Sequence, residues 1–261
     1  DDWSSYSSGE EVATGKYLDK NAFAGIQEAI NAATTGDTVE VSAGTYNESI
    51  TTGKAITLSG PNADISAVTG NRGNEATIES GVAVSAGNVT INGFEIRNSG
   101  EQGAADPSDY AGAVGVTVNS GNTDVIVENN IITDIGVNDD DANPIGVYAE
   151  DGTSGITIDN NKISNLTGTD EDKGAVQAVL IDESGTQITG AAVTNNLIID
   201  LLDTRSTVAV RYNGDVQGEI TGNEIRNLNT EGTTDAGNPG GFTQVISLAK
   251  GGASATGPSE V

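Results

Sequence analysis

The chain has 261 residues and a large excess of acid, with 38 Asp and Glu against 11 Lys and Arg and a formal net charge of −27. No segment carries the basic patch that nucleic-acid binding requires, and no apolar stretch is long enough to insert directly into a membrane. The chain has no Cys and no His, which excludes disulfides, thiol catalysis and zinc–thiolate sites.

The N-terminal region is predicted to form a cap. Residues 1–18 are polar and predict an irregular arm, whereas residues 19–34 have the apolar periodicity of an amphipathic helix with Asp19 or Asn21 as its N-cap. Short strands follow at 38–41, 44–46 and 55–60. A helix in front of the first strands would cover the open end of a stacked core and its unpaired strand edges.

Five stretches farther along the chain repeat one pattern: an alternating β-branched strand, a corner rich in Asn or Gly, and a second short strand. They are residues 89–98, 125–134, 156–165, 191–200 and 219–227. Four further short strands precede the later repeats, at 115–118, 146–148, 177–181 and 207–210. Repeats of this kind cannot bury an apolar face alone, so they must stack on their neighbours. The pattern therefore predicts an all-β solenoid of about seven coils, with strands about 4.8 Å apart.

One corner position recurs in every repeat. It is held by Phe94, Asn130, Asn161, Asn196 and Asn223. Asn tolerates left-handed backbone geometry better than other residues that carry a side chain. Stacked in register, the side-chain amides can also hydrogen-bond to one another along the rod. We therefore predict a structural role for these Asn residues.

Four N-terminal stretches carry a family resemblance. They are FAGIQEAI (23–30), GDTVEV (36–41), GTYNESI (44–50) and ITLSG (56–60). In this order they resemble the opening of the right-handed parallel β-helix (pectin-lyase-like) superfamily, especially exported surface β-helix repeat proteins of haloarchaea. The resemblance implies one right-handed parallel β-helix domain over residues 19–248, followed by a flexible tail rich in Gly, Ser and Ala at 249–261. The fold hosts lyases, hydrolases, esterases, phage tailspikes and non-catalytic proteins, so it selects no activity.

The enzyme branches of this superfamily imply residues that can be sought in the chain. Polygalacturonase-like hydrolases carry an Asp pair, Gly-His-Gly and Arg-x-Lys, but this chain has no His and no Arg-x-Lys. Two carboxylates can hydrolyse a glycoside without His, yet no pair stands out among the 38 acids. Pectinesterase-like proteins carry a Gln-Ala-Val strand, which residues 177–179 match, and an Asp-Phe-Ile-Phe-Gly segment, which has no counterpart. Gln177 is therefore expected to be an ordinary strand residue.

Pectate-lyase-like proteins need calcium-binding acids and an Arg or Lys as the base. The candidates are Arg205 and Arg211, near Asp203 and Asp215, and surface ion pairing explains these residues equally well. No complete catalytic set of any branch is present. The sequence therefore favours a protein without catalytic activity.

The loops that join one repeat to the next are expected to line one edge of the rod, where binding residues of a rigid scaffold often lie. Two of these loops are strongly acidic, and neighbouring coils could bring Asp139, Asp140 and Asp141 close to Asp170 and Asp172. Carboxylate oxygens are the ligands that calcium prefers. The alternative is a solvated acidic edge with loosely held cations. No other cofactor is expected.

Dispersed acid with only six Lys is typical of proteins from hypersaline environments, where salt screens self-repulsion. An acidic protein of seawater or of a calcium-rich matrix is the alternative.

The chain begins without Met, which predicts processing or truncation. Glycosylation sequons occur at Asn47, Asn88 and Asn165 and matter only for an exported protein.

The C-terminal end is predicted to be open. Residues 242–248 indicate one more strand, while 251–259 have the composition of a linker. We expect this end to be covered by other subunits, by neighbouring surface or virion proteins, or by a continuation of the chain. The alternative is a lid formed by residues 229–241.

These observations favour a non-catalytic extracellular structural or adhesive protein, either of a halophilic cell surface or of a virus particle infecting such a cell. Polysaccharide is its candidate ligand. The alternative is a polysaccharide-active enzyme, pectate-lyase-like or pectinesterase-like, that acts on uronate polymers. An acidic edge would repel such polymers unless cations bridge the two.

Overall fold

The computed structural model of the chain describes residues 8–14, 16–17, 21–99, 113–136, 144–168, 175–203, 206–230 and 242–249. Three parallel sheets, each of seven strands, form a β-solenoid. The chain passes through sheet 1, sheet 2 and sheet 3 in turn before it begins the next coil. The described part contains one α-helix, which precedes the first coil.

The strands of the three sheets have the following bounds. Sheet 1 contains β3 (Thr38–Glu40), β6 (Thr57–Ser59), β9 (Thr90–Asn92), β12 (Ile126–Glu128), β15 (Thr157–Asp159), β18 (Ile188–Thr194) and β21 (Val216–Thr221). Sheet 2 contains β4 (Gly44–Tyr46), β7 (Ala76–Ile78), β10 (Glu95–Asn98), β13 (Ile131–Ile135), β16 (Lys162–Gly168), β19 (Leu197–Asp203) and β22 (Glu224–Thr230). Sheet 3 contains β5 (Ile50–Thr52), β8 (Val82–Val84), β11 (Val114–Val118), β14 (Ile145–Ala149), β17 (Val176–Asp182), β20 (Ser206–Asn213) and β23 (Phe242–Ala249).

The predicted all-β class and parallel β-helix fold are confirmed. Each of the five repeats supplies a strand of sheet 1 and the following strand of sheet 2, and the second family of short strands supplies sheet 3. The predicted last strand is present as β23. The N-terminal arm, expected to be irregular, contains an antiparallel hairpin of β1 (Glu11–Ala13) and β2 (Lys16–Tyr17).

The core is a set of stacked apolar columns inside the solenoid. In sheet 1, Ile91, Val127, Ile158 and Val193 are register partners on successive strands, and all four are fully buried. Burying one such side chain contributes about 1.5–3 kcal/mol. β-Branched residues suit this arrangement because they are already stiff in the extended conformation and pack well on a pleated surface.

The corner between sheets 1 and 2 differs from the prediction by one residue. The left-handed backbone belongs to the residue before the predicted one, at Gly93, Asn129, Asn160, Asn195 and Gly222. This residue makes the turn. Its neighbour then projects its side chain into the interior, where Asn130, Asn161 and Asn196 are fully buried.

The predicted ladder of side-chain amides is confirmed. Nδ2 donates to Oδ1 of the next coil at 3.2 Å from Asn130 to Asn161, at 3.1 Å from Asn161 to Asn196 and at 2.9 Å from Asn196 to Asn223. Each accepting Oδ1 also takes the backbone N–H of the preceding Asn, and each Nδ2 also donates to a buried backbone carbonyl. The ladder therefore satisfies the buried polar groups that the corner would otherwise leave unpaired.

The capping helix α1 (Ile26–Ala32) is shorter than the predicted helix over 19–34, and its caps come from elsewhere in the chain. Gly25 has an extended conformation and stands at the N-cap position that Asp19 or Asn21 was predicted to hold. The N–H groups of Ile26 and Gln27 donate to the Glu48 carboxylate at 2.7 and 3.0 Å. A side chain of the first coil thus fixes where the helix begins.

Lys54 performs the matching role at the other end of the helix. Its Nζ donates to the carbonyls of Ile30, Asn31 and Ala33 at 3.1, 2.8 and 2.6 Å. An anion at the N-terminus and a cation at the C-terminus of a helix both interact favourably with its dipole. The buried Ile26 and Ile30 close the core at this end.

Candidate functional site on the outer face of sheet 1

The candidate calcium-binding edge falls outside the described residues. Asp139, Asp140, Asp141, Asp170 and Asp172 all belong to loops that the structure does not describe, so the site stays a prediction. Among the residues that are described, no group of three or more His, Cys, Asp or Glu side chains is arranged to hold a metal ion.

The structure describes only one of the two Arg residues that were candidates for lyase chemistry. Arg205 lies outside the described residues. Arg211 is half-buried in β20, and no salt bridge joins it to Asp215, which instead accepts a hydrogen bond from Gln187 Nε2 at 2.7 Å. The surface ion pair suggested for Arg211 is therefore not formed within the described part of the chain.

Asp203 and Gln177 are positioned by the strands. The Asp203 carboxylate is buried and accepts the backbone N–H groups of Val176 and Ser206 at 3.0 and 3.2 Å, so it joins strands of sheets 2 and 3. Gln177 lies in β17, as predicted for a strand residue, and is 1% exposed. Its Oε1 has no hydrogen-bond partner among the described residues.

The three sequon residues, Asn47, Asn88 and Asn165, all have exposed side chains. Asn165 Nδ2 donates to Asp134 Oδ1 on the neighbouring coil, and Asn165 and Asn88 both have left-handed backbone. The structure thus leaves all three sequons at the surface, and their glycosylation stays a prediction.

A row of polar side chains runs along the outer face of sheet 1. It consists of the last residue of each strand of sheet 1, and these residues are register partners from strand to strand. They are Glu40, Ser59, Asn92, Glu128, Asp159, Thr194 and Thr221. We call it the polar column. Its members alternate with the buried core column, so they face away from the core, about 4.8 Å apart from strand to strand.

Asn92 organises the middle of the polar column. Its Nδ2 donates to Asp64 Oδ1 and to Glu128 Oε1, both at 3.0 Å. Its Oδ1 accepts Asn129 Nδ2 and the backbone N–H of Asp64, both at 3.1 Å. A single amide therefore holds two carboxylates that would otherwise repel each other.

Asp159 is held by the next coil and by its own corner. Its Oδ1 accepts Thr194 Oγ1 at 2.5 Å and Asn195 Nδ2 at 2.9 Å, while its Oδ2 accepts Asn160 Nδ2 at 2.6 Å. Glu128 lies beside it on the adjacent strand. Partial burial raises the pKa of Glu128, and the nearby carboxylates of Asp64 and Asp159 raise it further.

The loop between β6 and β7 forms a wall along the corner beside the polar column. The backbone N–H of Ala67 donates to the Asn160 carbonyl at 3.2 Å, and Arg72 Nη1 donates to the Asn129 carbonyl at 2.6 Å. Arg72 is itself fixed by a 2.7 Å ion pair with Glu75. The wall therefore contacts the corners of two later coils, beside Glu128 and Asp159.

The site could have been found in the sequence, but it was missed. Glu128 and Asp159 each stand two residues before a ladder residue, Asn130 or Asn161, so aligning the repeats places them side by side. The pairing is visible only when the repeats are aligned, because the two acids are 31 residues apart along the chain. Asp64 and the wall lie outside the repeats, so aligning the repeats does not reveal them.

Comparisons with known proteins give one structural match. No protein-family model matches the chain, and no curated protein does. The crystal structure of a pectin methylesterase from Aspergillus niger is similar over 91% of this chain and 85% of the esterase, with 13% sequence identity and a TM-score of 0.43. The likeness assigns no activity to the chain. The three parallel sheets themselves establish the parallel β-helix fold, which was also the fold expected from the N-terminal stretches.

In the described part of the chain, no helix is both long and apolar enough to cross a membrane.

Proposed function

We propose that the protein is a non-catalytic, extracellular carbohydrate-binding rod, and that the polar column is its binding face. The observation that supports this proposal is the arrangement of Asn92, Glu128 and Asp159. Their side chains are fixed by hydrogen bonds among themselves and with neighbouring residues, while Glu128 and Asp159 are only half-buried and stay open to solvent.

A fixed row of acceptors and donors suits a chain of sugar hydroxyl groups. Because the side chains are already held in place, little rotamer entropy is lost when a ligand binds. The next outward column of sheet 1 is uncharged in these coils, with Thr90, Ile126 and Thr157 in register. The face therefore carries an uncharged column beside the polar column.

The charge of the site bears on the class of polysaccharide. Asp64, Glu128 and Asp159 place three carboxyl groups in one region of a chain whose net charge is −27. Polyuronates would be repelled unless cations bridge them, whereas neutral saccharides avoid this cost. We therefore propose a neutral polysaccharide as the ligand. The acidic surface also supports a place on a cell or virus particle in a hypersaline environment.

Binding to immobilised neutral and uronate polysaccharides, measured in molar salt with and without calcium, tests this proposal. Asn92→Ala removes the amide that holds Asp64 and Glu128 in place and should weaken binding of a neutral polysaccharide by about tenfold, because the freed carboxylates must then be ordered when the ligand binds. Glu28→Gln, on the exposed side of α1, is the control and should leave binding unchanged. Equal binding by wild type and Asn92→Ala would show that the polar column is not the binding site.

Glycoside hydrolysis is a second candidate function, and the pairing of Glu128 with Asp159 favours it. A carboxyl with a raised pKa can protonate a leaving glycosidic oxygen, while a neighbouring carboxylate acts as nucleophile. Retaining glycosidases hold these two groups about 5–5.5 Å apart, close to the spacing of adjacent strands. Against this, both oxygens of Asp159 are already engaged in hydrogen bonds.

Release of reducing ends from the polysaccharide that binds best distinguishes the two functions. Turnover that Glu128→Gln abolishes would establish the hydrolase. Binding without turnover would support the non-catalytic rod. Lyase or esterase chemistry on uronate polymers stays a prediction, since Arg205 lies outside the described residues.

A further inference from the structure

The face that carries the polar column is narrow in the direction of its strands. Each of the first five strands of sheet 1 has three residues, and the middle residue of each is buried in the core. Only the first and third residues therefore face outward, about 7 Å apart. One strand thus offers just two side chains to a ligand.

The face ends where the chain turns. Directly after the strands β12 and β15, the backbone is left-handed at Asn129 and Asn160, and two residues before the same strands it is left-handed at Asp124 and Gly155. A ligand that followed the strand direction would run off the face at both turns. On the corner side it would also meet the wall, because Arg72 Nη1 donates to the Asn129 carbonyl.

Along the rod, by contrast, the face continues over all seven strands of sheet 1. The outward column beside the polar column consists of Thr38, Thr57, Thr90, Ile126, Thr157, Ala192 and Glu219. Six steps of about 4.8 Å make each column about 29 Å long. The face is therefore much longer along the rod axis than across it.

Hydrogen bonds between coils run in the same direction as the long axis of the face. Asn92 Nδ2 donates to Glu128 on the following strand, and Thr194 Oγ1 donates to Asp159 on the preceding one. These bonds hold polar groups at the regular spacing of the strands. A polymer with a straight course would meet such groups on coil after coil without changing its own conformation.

We infer that the polar column takes an unbranched neutral polysaccharide in an extended conformation, which lies along the rod axis and crosses the strands of sheet 1. This inference rests on the proposed function and adds the shape and the direction of the ligand. A coiled polymer would leave a straight face after a few sugars, and a branch on the corner side would meet the wall. An extended polymer contacts more coils as it lengthens, so its affinity should grow with its length.

Titration calorimetry in molar salt with neutral oligosaccharides tests the shape. Cello-oligosaccharides are extended, whereas malto-oligosaccharides of the same sugar are coiled, and manno- and xylo-oligosaccharides are further extended probes. In at least one extended series the hexamer should bind about tenfold more tightly than the dimer, as expected for one or two added hydrogen bonds. Maltohexaose should bind no better than maltose.

The outcomes separate this inference from the proposed function. Binding of an extended series without any dependence on length, or an equally steep dependence in the malto series, would overturn the inference and leave the polar column as a binding face. Failure of every neutral saccharide to bind would overturn both.

An oligosaccharide with a reactive end tests the direction. The chain has no Cys, so a single Cys can be placed at either end of the polar column, as Glu40→Cys or Thr221→Cys, with Thr189→Cys as the control. All three positions are exposed, but Thr189 lies off the column, beyond the left-handed Gly190 of β18. An extended hexamer that carries a pyridyl disulfide at its reducing end should exchange with the thiol of one end variant and not with the control. Reaction at Thr189→Cys alone, or equal reaction at all three positions, would overturn the axial direction.

Discussion

The carboxylate of Glu48 accepts the backbone N–H of Ile26 at 2.7 Å, and this contact joins the N-terminus of the capping helix to the first coil. The same carboxylate also accepts the N–H of Gln27. Gly25, at the N-cap position, has no side chain that could perform this role. The beginning of the helix therefore depends on a residue more than twenty positions farther along the chain.

Glu48→Ala should destabilise the protein by about 1 kcal/mol, the usual cost of losing a helix N-cap. Chemical denaturation followed by circular dichroism measures this difference. Glu48→Gln retains one acceptor oxygen and should lose less. Equal loss in the two variants would mean that the carboxylate stabilises the helix by its charge alone.

Asn161→Ala should cost about 2–6 kcal/mol, because it leaves the Asn130 N–H and the Val127 carbonyl buried without a partner, at about 1–3 kcal/mol for each group. Asn223→Ala removes the same kinds of bonds at the half-exposed end of the ladder, where water can replace them. The denaturation midpoint should therefore fall much less for Asn223→Ala. Similar midpoints would show that ladder position does not matter.

Gly60→Ala should cost about 1–3 kcal/mol, as expected for overpacking a close contact. A Cβ at this position would overlap the backbone carbonyl of Gly93 on the next coil, and backbone cannot rotate away. Gly53→Ala is the control, because a Cβ there meets nothing within 4 Å. The melting temperature of the control should be unchanged, and an equal fall in both variants would contradict the packing argument.

Glu128→Gln should stabilise the protein by less than about 1 kcal/mol near pH 7, since solvent screens a half-exposed charge. The pKa of Glu128 is raised in the folded state above its ordinary value of 4.5, so ionisation is harder in the folded than in the unfolded chain. This penalty is absent below pH 4.5 and is fully present above the raised pKa. The gain in melting temperature should therefore disappear as the pH falls through this window. A gain that is independent of pH would point to packing instead.

The wild-type protein should lose stability at low ionic strength. With 38 acidic and 11 basic residues, self-repulsion is strong unless counterions screen it. The melting temperature should rise between dilute buffer and molar sodium chloride. A flat dependence would contradict the hypersaline interpretation of the composition.

The fold could be predicted from the repeats because equivalent positions in successive repeats become register partners on neighbouring strands. Aligning the five stretches on Asn130, Asn161, Asn196 and their equivalents identifies five strands each of sheets 1 and 2, and the second family of short strands identifies strands of sheet 3. The one-residue error at the corner arose because both residues of an Asn-Asn pair suit a turn, and sequence alone does not tell which one adopts left-handed geometry.

Two features of the cap and the site had no such signal. The helix begins later than the sequence predicts, because Asp19 and Asn21 are good N-caps in isolation, whereas Glu48 acts across a tertiary contact that no local pattern reveals. The wall beside the polar column depends on Arg72, whose guanidinium reaches backbone carbonyls of two later coils. Such long-range bonds follow from the stacked structure and are visible only once the coils are assembled.

The amide ladder makes one coil interchangeable with another. Asn130, Asn161 and Asn196 each offer the same acceptor to the preceding coil and the same donor to the following one, at intervals of 31 and 35 residues. Excision of residues 130–160 would join the chain ahead of Asn130 to Asn161 and restore an unbroken ladder on a shorter rod. Duplication of the same segment would lengthen the rod by one coil. The length of this molecule can thus change in whole coils during evolution without a change in either of its ends.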